Sequence, residues 1–199
     1  LVNEIKDQWL NNNTDITQIN WNSLYHTNYL NNVANPDGSA KYVLEQRHND
    51  LVETTFNSTY SNRFNKWVNM LAGIDVNYSI GKHYKTMNDL LGGKQWIDID
   101  QFAERDFSDN NMIIQNDLRN PNRKIYEGDR FGYDYNMNVV KAGAFIQGNL
   151  SLTKFDISAA FRLSTTSFWR EGKMENGRAA VIGATSYGKG KVLNFVDPS

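Results

Sequence analysis

The chain has no cysteine. Disulfides and thiolate metal sites are therefore excluded, and His26, His48 and His83 are too far apart for the short spacing that zinc sites use. Only three prolines interrupt the 199 residues. An excess of charge is also lacking: 22 acidic residues face 21 basic ones with no block of either sign, so nothing indicates nucleic acid or a polybasic membrane tether. No run of about 18 apolar residues occurs, which excludes a membrane-spanning helix, and the opening LVNEIKDQWL does not read as a secretory leader. Nucleophile elbows, phosphate-binding loops and dinucleotide fingerprints are missing, so the chain reads as a non-enzyme.

What is present suits strands and hydrated loops. Asparagine is the commonest residue, and aromatics make up 13 % of the chain. The mean hydropathy of -0.62 argues against a helical membrane protein. It does not argue against a barrel, in which half of every strand faces a polar lumen.

Alternation with period two is the dominant signal. Val68, Met70, Ala72, Ile74, Val76, Tyr78 and Ile80 share one face, opposed by Asn69, Gly73, Asp75, Asn77 and Ser79, with Leu71 the exception. Val140, Ala142, Ala144, Ile146, Leu150 and Leu152 form a second apolar face, and Phe155, Ile157, Ala159, Phe161 and Leu163 a third. A weaker pattern runs through Val52, Thr54, Phe56 and Tyr60. The expected strands lie near 51–61, 67–82, 137–152, 155–169 and 191–199, longer than the 5 or 6 residues usual in soluble domains. Their connections alternate between tight turns, at SNRFNK and around Thr153 and Lys154, and long loops at 1–50, 83–135 and 171–190.

Long strands of this kind can cross a bilayer, and short turns on one side with long loops on the other characterise outer-membrane barrels. Aromatics fit that orientation: Tyr60, Phe64, Trp67 and Phe155 lie at the short-turn ends, and Tyr78, Tyr84, Tyr133, Tyr135, Phe168 and Trp169 toward the long loops. The fold expected is all-β, an antiparallel up-and-down meander forming part of a large outer-membrane β-barrel, whose long extracellular loops contain short helical turns. Residues 1–199 would be a single segment of that barrel. A soluble sheet with one wet face would need a covering layer that few amphipathic helices are available to supply.

Two groups in the loops are candidates for binding. Asp98, Asp100 and Glu104, with Asp106 and Asp109 nearby, offer carboxylate oxygens of the kind calcium takes, although their spacing is not that of an EF-hand and caps or a solvated face account for them more simply. Trp96, Tyr126, Tyr133 and Tyr135 set aromatic rings beside polar groups, as sugar, peptide or chelate sites do, although loop aromatics more often pack the loops against each other. Two helical segments are expected, Trp21–Asn31 capped by Asn20, and a turn through Phe102–Phe107 introduced by Asp98 and Gln101.

The loop stretches QINWNSLYHTNYLNN, MNDLLGGKQWIDIDQFAERDF, NPNRKIYEGDRFGYDYN, SFWREGKMENGR and SYGKGK resemble the barrel region of TonB-dependent receptors from Gram-negative anaerobes, in the branch with a carboxypeptidase-regulatory-like domain before the plug. The resemblance implies a cell outer-membrane location and a plugged barrel of about 22 strands that imports a nutrient on energy delivered through TonB. Its partners would be the TonB complex, a small-molecule, oligosaccharide or peptide ligand, a surface lipoprotein and outer-membrane lipid. The plug, the TonB box and most of the strands are expected to lie outside this stretch. A soluble secreted β-sandwich that binds carbohydrate, and a structural outer-membrane barrel, are the alternatives.

Overall fold

The computed structural model describes Val2–Ser199. It is mostly β with antiparallel sheets. The elements in chain order are helices α1 (Val2–Leu10), α2 (Thr14–Thr17) and α3 (Trp21–Ala34), strands β1 (Leu44–Arg63), β2 (Val68–Asp89) and β3 (Trp96–Ile97), helix α4 (Gln101–Asp106), strands β4 (Lys124–Ile125), β5 (Arg130–Ser151) and β6 (Asp156–Gly172), helix α5 (Gly177–Val181), and strands β7 (Gly188–Lys189) and β8 (Leu193–Pro198). Two compact units divide the chain: one holds Leu1–Gln46, Thr86–Asp98 and Asn122–Phe131, the other Arg47–Lys85, Ile99–Pro121 and Gly132–Ser199.

The main sheet pairs β1, β2, β5 and β6 in that order, with β7 and β8 both paired to β6. Hydropathy fixes the register. Between β5 and β6, Ala144 faces Leu163, Ile146 faces Phe161 and Leu150 faces Ile157, while Lys141 faces Thr166 and Asn149 faces Ser158. A slip of one residue would oppose the two classes. Side chains tie β2 to β1 in antiparallel sense: the His83 ring contacts Asn49 at 2.8 Å, Asn77 donates to Thr55 at 2.8 Å, and the Phe64 amide donates to the Val68 carbonyl at 3.1 Å.

The tight turns have local causes. Asn65 Oδ1 accepts from the amides of Trp67 and Val68 at 2.8 and 3.0 Å, closing the β1–β2 turn as an Asx motif. The Leu152 amide donates to the Phe155 carbonyl at 2.7 Å and closes the next one.

Strands run further than the alternation suggests. β1 begins at Leu44 instead of near 51, β2 continues to Asp89 instead of stopping near 82, and β5 starts at Arg130 instead of near 137. The added segments, such as LEQRHND and KHYKTMND, carry too few apolar residues to show an alternating face. Alternation reports a difference in environment between the faces, whereas the ladder of backbone hydrogen bonds continues without one.

Over the middle of β2, β5 and β6, exposure is inverted relative to a soluble protein. Ile74 is 50 % exposed and Phe161 54 %, and Val76, Ile146, Ile157 and Leu163 are likewise exposed. The interleaved Asp75, Asn77, Arg162 and Ser164 are half-buried. On that polar face Arg162 pairs with Asp75 at 2.8 Å, reaching from β6 to β2 over β5. Gly143 makes the crossing possible: a Cβ there would lie 2.6 Å from the Arg162 guanidinium and 3.0 and 3.1 Å from the Asp75 carboxylate oxygens. Gly73 in the same way leaves room for the Phe145 ring.

In the other unit, α3 starts where Asn20 Oδ1 accepts the Ser23 amide at 3.0 Å and stops before Pro36, which cannot continue a helix. The helix extends past the expected Asn31 to Ala34, and it docks through asparagines, since Asn28 and Asn31 are its buried residues while Tyr29, Leu30 and Val33 are exposed. Asn28 is fully buried. Its Nδ2 donates to the carbonyls of Tyr42, Leu90 and Leu91 at 2.8, 2.9 and 3.1 Å, and its Oδ1 accepts the amides of Lys41 and Tyr42 at 2.8 and 3.1 Å. Beside this polar hub, Ala40, Met87, Leu90, Trp96, Ile125 and Phe131 form a small apolar core against Val43.

Candidate functional site

Four aromatic residues were candidates for ligand contact, and the structure separates them. Trp96 is only 8 % exposed and lies in the small core, because its pairing with Ile125 in the β3–β4 ladder turns the indole inward. Its indole packs against Met87, Leu90, Ile125 and Phe131 in that core. Tyr126, in the same unit, is exposed, and its amide is held by Asp129 Oδ2 at 2.9 Å. Tyr133 and Tyr135 belong to the sheet unit and are half-buried.

These two tyrosines share the polar face of β5 with Lys141 and Gly143, by parity along the strand. Tyr135 stacks on His83 at 5.0 Å between centroids and lies 6.1 Å from Tyr133 in a tilted arrangement. The Arg170 guanidinium sits 4.5 Å above the Tyr135 ring. Two members are oriented by a further contact: His83 Nδ1 by Asn49 Oδ1, and Arg170 by donating from Nη1 to the Ser186 carbonyl at 2.6 Å. The result is a fixed strip of imidazole, phenol and guanidinium at the loop end of the polar face. Its chemistry is that of recognition: rings for stacking, hydroxyls for hydrogen bonding and a cation for an electron-rich group. His83, Arg170 and Asn49 went unrecognised in the sequence. The parity of His83 with Asn77 and Asp75 was the available signal, and the missing datum was the strand pairing that brings it to Tyr135.

Of the carboxylates expected near calcium, Asp98, Asp100 and Asp106 have partners within the chain. The Asp98 side chain is 1 % exposed and pairs with Arg123 at 2.9 Å, and that guanidinium also donates to the Arg130 carbonyl. Asp100, not Asp98, is the N-cap of α4, accepting the amides of Phe102 and Ala103 at 3.0 and 3.1 Å. Glu104 is exposed on the first turn of α4, where its charge suits the helix dipole. Arg105 donates to Asp106 at 2.8 Å, a hydrogen bond that raises its pKa above the usual arginine value. Among the described residues no three His, Asp or Glu side chains come together as metal ligands.

In the sheet unit the segments 99–121 and 173–187 form one structured body. Ile99, Ala103, Ile113 and Ile114 make its core. Asp117, 4 % exposed, accepts the Glu175 and Arg119 amides at 3.0 and 3.2 Å and Asn120 Nδ2 at 2.8 Å. The Leu118 amide donates to the Glu175 carbonyl at 2.7 Å, and Arg119 covers the Tyr187 ring at 4.2 Å. Gly177 lies against the Met112 carbonyl so closely that any Cβ would collide with it.

No protein-family model matches the chain, and no curated protein or solved structure shows significant similarity to it.

Proposed function

We propose that this chain is a stretch of wall, with its outer loops, from a TonB-dependent outer-membrane receptor that captures a nutrient at the cell surface and imports it. The observation that carries the reading is the inverted exposure over the middle of β2, β5 and β6, with Ile74, Val76, Ile146 and Phe161 outermost and Asp75, Asn77, Gln147 and Arg162 sheltered. In water such a face is a liability, whereas in a bilayer it is the solvated one.

Dimensions support the same reading. From Val68 to Ile80 the chain covers about 40 Å at roughly 3.3 Å per residue, and a tilt of about 45° reduces this to about 28 Å, close to the ~25 Å apolar band of outer-membrane barrels. Beyond Ile80 the residues of that parity become Lys82, Tyr84, Thr86 and Asn88, so the apolar band ends while β2 continues. Tyr84 stacks on His48 at 4.4 Å just past that limit, where amphipathic rings favour a membrane boundary. The long strands pair as sequential antiparallel neighbours, as an up-and-down barrel wall requires.

The step from barrel to TonB-dependent receptor rests on the resemblance of the loop sequences. In that setting the strip of His83, Tyr133, Tyr135 and Arg170 faces the lumen near its outer mouth. There it suits noncovalent capture of a polar small molecule, oligosaccharide or peptide. The β-sandwich alternative requires a second layer over the apolar face, and Ile74, Val76 and Phe161 are uncovered.

Fractionation of cells producing the full parent protein tests this. Recovery in the outer membrane, with detergent needed for extraction, is the expected result. Recovery as a soluble protein, free of the envelope, would refute it.

A further inference from the structure

The body formed by segments 99–121 and 173–187 contains a cleft that the polar-face strip does not use. Phe107, Ile113, Ala179, Val181 and Ile182 line it together with Arg178, and its volume is about 320 Å³. That is the lower end of the range for small-molecule pockets. Its walls are fixed in advance by the Asp117 contacts, by the Gly177 amide donating to the Gln115 carbonyl at 2.9 Å, and by the close approach of Gly177 to Met112. The cleft is apolar with one cationic wall. Val181 is 60 % and Ile182 81 % exposed, so its rim is open.

Arg178 is incompletely matched. Its one ion-pair partner among the described residues is Asp100, at a long 3.4 Å from Nη1 to Oδ2. The other oxygen, Asp100 Oδ1, is already committed to the Phe102 and Ala103 amides that cap α4. A guanidinium offers five donors in a planar fork that fits a carboxylate edge-on through two parallel hydrogen bonds. Here one donor is engaged at long range, and the side chain is 52 % exposed beside an apolar hollow.

We infer that this cleft binds an organic acid, its apolar body seated against Phe107, Ile113, Val181 and Ile182 and its carboxylate on the Arg178 guanidinium. The apolar walls supply most of the attraction and the arginine supplies the selection for an anion. The inference stands on the cleft within one unit and holds whether or not the parent protein proves to be a transporter.

The test uses the purified full-length parent protein and two probes with the same body, phenylbutyrate and the neutral phenylbutanol, titrated calorimetrically. The acid is expected to bind roughly tenfold more tightly than the alcohol, in keeping with a charge-assisted bidentate contact. Arg178→Gln should erase that preference, and Arg178→Lys should retain part of it. Ile182→Asp, at a position too exposed to disturb folding, should weaken both probes. Equal affinity for acid and alcohol, a preference that survives Arg178→Gln, or no binding of either probe would overturn the inference. None of these outcomes bears on membrane localisation, which the fractionation reads separately.

Discussion

Replacing Asn28 with leucine is expected to destabilise the unit around α3 by about 3–4 kcal/mol, among the larger effects a single substitution produces. The side chain is fully buried and makes five hydrogen bonds to backbone groups of Lys41, Tyr42, Leu90 and Leu91. Leucine has nearly the same shape and none of the polar atoms, so three carbonyls and two amides lose their partner in a place with little water to replace it. Stranding each such group costs on the order of 1–3 kcal/mol, with partial relaxation toward solvent keeping the total below the sum. Asn28→Asp should cost at least as much, since it sets a carboxylate oxygen against three carbonyl oxygens. Asn32→Ala is the control, because its bond to the Gly92 carbonyl is exposed and its loss should cost under about 1 kcal/mol. Hydrogen exchange of the amides in 86–98 reads the effect locally, and unchanged protection in Asn28→Leu would show that packing, not the asparagine, holds the helix.

Arginine in place of Ile74 is expected to lower the stability of the parent protein in bilayers by about 2–4 kcal/mol, the cost of a basic residue near the midplane of a barrel's lipid face. Ile74 is half exposed near the middle of the apolar band. On a water-facing sheet the same change falls within about 0.5 kcal/mol, as exposed substitutions generally do. Gln147→Arg, on the polar face of β5, should be tolerated in either setting. Reversible folding into phospholipid vesicles, followed by denaturant titration of all three proteins, separates the cases. A neutral Ile74→Arg would place that face in water.

The centres of the long strands were legible because one residue in two met a different environment, and Val68–Ile80 records this with Leu71 as its one exception. The two tight turns and the Asn20 cap were legible because their causes are local. Strand ends were hidden where both faces are polar, as in Leu44–Asp50. The cap of α4 sits at Asp100 although Asp98 has the same chemistry, and burial of Asp98 against Arg123 decided between them. The least legible feature was the small core. Ala40, Met87, Leu90, Trp96, Ile125 and Phe131 come from segments far apart in sequence, so no period marks them, and Trp96 accordingly read as a ligand residue. Asn28 was hidden for a related reason: in an asparagine-rich helix nothing local distinguishes the residue that docks from those that are solvated.

This stretch has no cysteine, so once any cysteine elsewhere in the parent protein is replaced, a single introduced thiol carries a spin label at a known place. The direct measurement is collisional accessibility along Ile74→Cys, Asp75→Cys, Val76→Cys, Asn77→Cys and Tyr78→Cys in the parent protein reconstituted into vesicles. Labels at 74, 76 and 78 should meet oxygen dissolved in the lipid, and labels at 75 and 77 a water-soluble nickel chelate, alternating residue by residue. Uniform access to the chelate along all five positions would contradict a lipid-facing sheet.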